Sequence, residues 1–336
     1  MAARGFGLAI SSPGHGHWRP TYLPCIISPM PTDTPYFDLQ VNGYAGVEFN
    51  DENLTAEGLH TACERLRRDG TAAFLATIIT APMPFMCNCL RRLVGLRQGD
   101  PLAQEMIPGF HIEGPFISAL DGYRGAHPKN GVRKPDIDSA EQLLEAAGGL
   151  ARIVTLAPEC DDGLRVTRML AQRGIVVSGG HCNPTLDQLR AAVDAGMSMC
   201  THVGNGCPMQ MHRHDNIIQR VLSLSDRLWL CFIADGVHVP VVALGNYLKC
   251  AGLDRCIVVT DAITPAGCGP GRYQLGEWDV VIGEDMAAMA PDGSHFLGSA
   301  ITMPRSVQNL IQKIGLTPAQ ANKLTAVNPR LAVKIQ

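Results

Sequence analysis

Short apolar runs recur along the chain at residues 37–41, 71–80, 106–112, 152–157, 174–178, 197–202, 228–234 and 255–260. Within each run the apolar residues are nearly continuous rather than alternating. That pattern suits strands buried on both faces, as in a parallel sheet. Between most of the runs the spacing becomes helical. Ala56–Arg68 carries Leu59, Ala62, Cys63 and Leu66 on one face, and residues 138–147 and 185–195 behave similarly. Pro184-Thr185-Leu186-Asp187 reads as a helix opening, with an early Pro and an acid in the first turn. Eight strand–helix alternations predict an α/β fold, a (β/α)8 barrel of the TIM type. An open, doubly wound sheet is the competing arrangement.

In a barrel, chemistry collects at the C-terminal ends of the strands. Those ends are polar here. In chain order they supply Gln40 and Asn42, His111 and Glu113, Glu159, His181 and Asn183, His202 and Asn205, Asp235 and His238, and Asp261. Taken singly, each is ordinarily a turn former, a helix cap or a satisfied core group, and Asn183 and Asp235 read well as turn residues. Taken together, Glu113, His181, His202 and Asp261 come from four different runs, and closure of a barrel would bring them around one pocket. One carboxylate and two imidazoles make a catalytic zinc set that leaves a position for water. Zinc lowers the pKa of such a water to roughly 7. A further carboxylate can take the water proton and pass it to a leaving group, a role that suits Asp261. His238 can polarise a carbonyl. The constellation points to a metal-dependent hydrolase.

Composition narrows the partners. The 336 residues would ordinarily make about two domains at ~150 residues each, although one barrel can use 250 or more. Charged residues are 18%, below the usual ~25%, which implies much buried surface in a large core or an oligomer interface. The net charge of −3 offers no basic field for nucleic acid, and no Lys/Arg-rich run marks a membrane surface. No apolar stretch reaches the roughly 18 residues of a membrane span, and the N-terminus lacks a signal-peptide core. A cytoplasmic protein is the expectation. The twelve cysteines include no Cys-x-x-Cys pair and read as small buried hydrophobes.

Several segments are more specific than their composition. They begin with Phe37-Asp38-Leu39-Gln40-Val41-Asn42-Gly43 and Gly109-Phe110-His111-Ile112-Glu113-Gly114-Pro115-Phe116. Gly125-Ala126-His127, Leu156-Ala157-Pro158-Glu159, Gly180-His181-Cys182-Asn183 and Thr201-His202-Val203-Gly204-Asn205 follow. Ala234-Asp235-Gly236-Val237-His238, Val259-Thr260-Asp261-Ala262, Gly298-Ser299-Ala300 and Asn328-Pro329 complete the set. In this order they resemble the motifs of the N-acetylglucosamine-6-phosphate deacetylase family, which belongs to the amidohydrolase superfamily of metal-dependent barrels. The resemblance runs from about residue 37 to the end.

The resemblance implies a function: hydrolysis of the N-acetyl amide of N-acetylglucosamine 6-phosphate to glucosamine 6-phosphate and acetate. It implies that Glu113, His181 and His202 hold one divalent metal per subunit, zinc first and iron or another divalent ion second. Asp261 would be the general base and then the acid. His238 would hold and polarise the acetyl carbonyl. His127, Asn205 and the backbone at Gly206 would line the sugar site. Arg213 would bind the phosphate and reach into a neighbouring subunit's site, which makes a homodimer the expected assembly. Gln40-Val41-Asn42 stands where many amidohydrolases place His-x-His for a second metal. Amides are poor zinc ligands, so a single-metal site is expected.

The chain also departs from the family. Arg124 replaces the usual Lys before Gly125-Ala126-His127, and His212 and His214 flank Arg213 where relatives more often have Gly. The small β-sandwich that usually accompanies the barrel is expected to be largely missing, because little chain lies outside the motifs. Residues 1–36 read as an irregular arm and 37–336 as the barrel. Two rival readings remain. One is a deacetylase of another N-acetylated amino sugar, unphosphorylated or of different epimer. The other is a non-catalytic amidohydrolase-like binding protein.

Overall fold

Each of the eight runs becomes a strand in the computed structural model, which describes residues 34–275, 278–292 and 296–335. Most of the expected arm, residues 1–33, lies outside the described residues. The strands are β1 (Tyr36–Val41), β2 (Thr71–Ile79), β3 (Gly109–Glu113), β4 (Ala151–Leu156), β5 (Val176–Gly179), β6 (Met197–Cys200), β7 (Trp229–Ile233) and β8 (Cys256–Val259). All neighbours are parallel, and the spatial order follows the chain from β1 to β8. A doubly wound sheet would reverse its order part-way; this one does not.

The sheet curls until its two edges meet. Val41 and Ala262 form a parallel bridge, and the Asn42 amide donates to the Ala262 carbonyl at 2.7 Å. A buried carboxylate helps to close the seam. Asp38 on β1 accepts from the backbone N–H of Thr260 at 3.2 Å and from its hydroxyl at 2.5 Å. Burial pushes the Asp38 carboxyl up to about 7, against the pull of these donors.

Both faces of the strands are buried, which explains the continuous runs. Phe37, Leu39, Leu75, Ile153, Met199 and Ile257 share one cluster, and Tyr36, Phe74, Phe110, Ile112, Phe232 and Val258 belong to another. Adjacent positions on one strand fall in different clusters, as the two-residue period requires. The second cluster packs against the helices. In α1 (Ala56–Arg68), Leu59, Ala62, Cys63 and Leu66 are the buried residues, and the Thr55 hydroxyl caps the N-terminus. Thr185 and Gln188 form a capping box that opens the helix Leu186–Asp194.

Two features were not foreseen. After β8 the chain builds a four-stranded antiparallel sheet, β9 (Gly271–Leu275), β10 (Trp278–Ile282), β11 (Ala287–Met289) and β12 (Phe296–Ser299). The final helix, Asn328–Val333, contributes Ala332 and Val333 to the cluster that contains Phe37 and Leu39. Asn328 anchors that helix by donating to the carbonyls of Leu253 (2.9 Å) and Cys256 (2.7 Å).

Candidate metal centre and active site

The C-terminal ends of β3, β6 and β8 and the turn after β5 converge, and Glu113, His202, Asp261 and His181 meet there. Glu113 is the last residue of β3 and is 3% exposed. The next residue must be Gly: Gly114 has φ +83°, and a Cβ there would sit 2.0 Å from the Thr80 hydroxyl. Glu113 Oε1 lies 2.9 Å from His202 Nε2 and 3.4 Å from His181 Nε2. The two imidazole nitrogens are 3.1 Å apart. Burial alone would raise the Glu113 carboxyl, but the two imidazoles outweigh it and hold the group well below the ordinary carboxylate range.

Three of these side chains sit on unusual backbone. His181, His202 and Asp261 have φ of 51°, 29° and 50°. A non-glycine residue in that region costs on the order of 1–3 kcal/mol and persists where its surroundings demand it. Each is the second residue beyond its strand. The strain turns the side chain into the mouth instead of letting the strand continue.

The donor set has the character of a cation site. His181 Nδ1 lies 2.9 Å from the carbonyl of Tyr123, which only accepts, so Nδ1 carries the proton. Nε2 then presents a lone pair. Glu113 Oε1, His202 Nε2 and His127 Nε2 all lie within 3.4 Å of it. One lone pair cannot hydrogen-bond to all three. A cation held by Glu113, His181 and His202 relieves that conflict, and a carbonyl that holds the outer nitrogen fixes the ring of a metal-binding histidine. Glu113, His127 and His181 each offer a donor atom within 4.8 Å of the others. The expected trio of Glu113, His181 and His202 is thus brought together, and His127 Nε2 lies 3.1 Å from His181 Nε2. Burial pushes the His127 ring down to about 3, with the neighbouring His181 adding to the effect.

Asp261 stands beside this cluster. Its Oδ1 accepts from the side-chain amides of Gln40 (3.0 Å) and Asn42 (2.7 Å). The Gln40 amide also donates to Glu113 Oε2 at 3.2 Å. Its NH2 group therefore bridges the two carboxylates, and its nitrogen, which cannot ligate a metal, faces the site. Burial, and then the negative charge of Glu113, raise the Asp261 carboxyl above its ordinary value.

His238 is held from behind. Its Nδ1 lies 2.5 Å from Asp235 Oδ2, while Asp235 Oδ1 accepts from the backbone N–H groups of Val237 and His238, both at 2.9 Å. Asp235 is therefore a turn former, as its position suggests, and also the orienting partner of His238. Burial would raise this carboxyl, but the His238 ring and the two N–H groups bring it below its ordinary value.

Other expected residues are placed differently. Gly206 packs against the His181 ring, where a Cβ would lie 2.9 Å from Nδ1 and φ is +59°. Asn205 has a buried side-chain nitrogen without a partner among the described residues. Arg213 is not drawn to the cluster. It is exposed in the loop after β6. Beside it, His212 Nδ1 accepts from the backbone N–H of Asp215 at 2.9 Å and of His214 at 3.4 Å, a local role in shaping that loop. Sequence reasoning missed the bridge by Gln40 and the partnership of Asp235 with His238. A polar residue alternating with Leu39 and Val41 on a buried strand was the available signal for Gln40.

No family model matches the chain. It is 33% identical over 298 residues to an Escherichia coli N-acetylgalactosamine-6-phosphate deacetylase, spanning 88% of this chain and 76% of that protein. It is 32% identical over 314 residues to a Bos taurus N-acetylglucosamine-6-phosphate deacetylase, spanning 91% and 74%. Among solved structures, the Mycobacterium smegmatis N-acetyl-D-glucosamine-6-phosphate deacetylase, a mutant in complex with N-acetyl-D-glucosamine-6-phosphate, superposes with a TM-score of 0.80 at 28% identity. That superposition covers 90% of this chain and 77% of the other.

Proposed function

The chain belongs to the N-acetylglucosamine-6-phosphate deacetylase family, and from that premise we propose that it hydrolyses the acetamide of N-acetylglucosamine 6-phosphate, releasing acetate and glucosamine 6-phosphate. The observation that carries the reading is the meeting of Glu113, His181 and His202 with Asp261 across the Gln40 bridge. Those first three residues would hold one divalent ion, for which a carboxylate and imidazoles favour zinc, with iron or another divalent ion second. Such an ion, when bound, polarises the acetyl carbonyl and acidifies a water molecule.

The protein's own groups do the rest. Asp261, raised by burial, takes the water proton and returns it to the departing nitrogen. His238, its ring fixed by Asp235, is the group placed to hold the acetyl carbonyl as charge develops on its oxygen. The Gln40 amide donates to both carboxylates and so keeps Glu113 and Asp261 side by side. Asn205 and Gly206 line the sugar position.

Arg213 binds the phosphate of the partner subunit's substrate in a homodimer, its guanidinium fork matching phosphate oxygens. Its exposure, away from its own cluster, supports this placement. The catalytic unit comprises residues 37–336. No helix among the described residues is long and apolar enough to cross a membrane. That agrees with a cytoplasmic enzyme of amino-sugar metabolism.

The likeness to the Escherichia coli protein favours a second reading, in which the galactosamine epimer is the substrate. Acetate release from the two N-acetylhexosamine 6-phosphates and their unphosphorylated counterparts, with metal measured on the same sample, decides between them. The proposal expects kcat/KM to be highest for N-acetylglucosamine 6-phosphate. A higher value for the galactose epimer selects the second reading, and no acetate from any of the four overturns both.

A further inference from the structure

The loop that carries Arg213 is fastened to the turn that follows His181. Residues 211–216 lead into the short helix Ile217–Leu222, and Arg220 reaches back from it. Its Nε donates to Asp215 Oδ1 at 2.6 Å and its Nη2 to the Asp215 carbonyl at 3.4 Å. Its Nη1 donates to Asn183 Oδ1 at 3.1 Å and to the Pro184 carbonyl at 2.8 Å. The Asn183 N–H in turn donates to Glu159 Oε1 at 2.5 Å, which secures that turn to the end of β4. An exposed ion pair is ordinarily worth little, because two long side chains must be held still. Here one partner is already fixed. The Arg220 side chain is 14% exposed, against 70% for Asp215. The hydrogen bond from Arg220 holds the Asp215 carboxyl below its ordinary value. Arg213 itself forms no ion pair among the described residues.

We propose that Arg220 is a positioning residue for phosphate recognition. It occupies the carboxylate of Asp215, the acid closest to Arg213 along the chain, so that Arg213 meets the phosphate without an internal counter-charge. The proposal rests on the phosphate reading of Arg213 given above. Asp215 stands two residues from Arg213 in the same exposed loop. Released, its carboxylate would compete with phosphate for the guanidinium fork and repel the phosphate's own charge. His212 limits the loop from the other side, where its carbonyl accepts from Asn216 Nδ2 at 2.9 Å. Arg213 lies between these tethers in the chain, and its guanidinium is left for a ligand.

The test is a set of double variants of the full-length, zinc-loaded protein, read by acetate release from N-acetylglucosamine 6-phosphate. Arg220→Ala should raise KM by about tenfold, as expected for Arg213→Ala, with the loss falling on KM rather than on kcat. Adding Asp215→Asn to Arg220→Ala removes the competing charge, and KM should return to within about threefold of wild type. In Arg213→Ala/Arg220→Ala, KM should be no higher than in Arg213→Ala, since no guanidinium is left to protect. An unchanged KM in Arg220→Ala overturns the proposal. So does a raised KM that Asp215→Asn fails to restore, which would leave Arg220 as a structural tie alone. An unchanged KM in Arg213→Ala overturns it together with the phosphate reading beneath it.

Discussion

The floor and the mouth of the barrel are built from the same strands under opposite rules. On the floor, Phe37, Leu39, Leu75, Ile153, Met199 and Ile257 fill the interior as one apolar cluster, none more than 1% exposed. At the mouth, Glu113, His181, His202 and Asp261 are buried or nearly so, yet all are polar and three sit on backbone that side chains ordinarily avoid. On β1 a single residue separates the two regimes, since Leu39 belongs to the floor while Gln40 bridges Glu113 and Asp261. The floor gains from every filled volume. The mouth accepts strain and desolvation in exchange for a fixed array of donors, which is how functional sites depart from the rules that fold the remainder.

That contrast can be broken most severely at the metal donors. His202→Ala should reduce metal from one ion per chain to a small fraction and abolish acetate release, as elemental analysis and a turnover assay would show. Full metal occupancy would mean that His202 is not a ligand. Asp261→Asn should separate chemistry from metal binding. The ion stays, while kcat falls by roughly 10²- to 10⁴-fold, the usual worth of a general acid–base group. Near-normal turnover in that variant would sink its role.

The floor should respond in the other currency. Leu75→Ala should cost about 2–5 kcal/mol of stability in denaturant unfolding, with kcat of the folded protein within about twofold of wild type. A large kcat loss without destabilisation would show that the two layers are not separable. Arg213→Ala should raise KM for the phosphosugar by about tenfold, in keeping with the loss of a charge-assisted hydrogen bond. KM for the neutral sugar should not change.

A further test concerns the seam that joins the layers. Because the Asp38 carboxyl is pushed up to about 7 by burial, the folded protein holds that proton more tightly than the unfolded chain does. Stability should therefore fall as pH rises from about 4 to about 7, where the unfolded chain binds fewer protons. Asp38→Asn should flatten that part of the profile of Tm against pH. An unchanged slope would assign it to other groups.

The floor was the more legible region. Strands buried on both faces write themselves as unbroken apolar runs, and α1 shows its buried face in the spacing of Leu59, Ala62, Cys63 and Leu66. Where a run misled, a neighbouring element was the cause. The run at 106–112 begins in the helix Pro101–Met106, and the strand itself starts at Gly109 and reaches Glu113. The four-stranded sheet after β8 was missed because its short strands lie among Gly, Asp and Pro and make no sustained run.

At the mouth, residue types were legible but their partnerships were not. Gln40 and Asp261 are 221 residues apart, and no local pattern announces that their side chains touch. The positive φ of His181, His202 and Asp261 was equally hidden, because only glycine advertises such backbone by its identity. The approach of His127 to His181 depends on a turn that Arg124 holds by donating to the carbonyls of Gly125 and His127, which no periodicity encodes.

The central claim is that one divalent ion at the barrel mouth, facing Asp261 and the Gln40 amide, performs the deacetylation. Its most direct test is to strip the protein of metal, add zinc in steps, and follow acetate release from N-acetylglucosamine 6-phosphate against ions bound. The rate should rise in proportion and level off at one ion per chain. Acetate release that survives complete metal removal, or that climbs until two ions are bound, would contradict it.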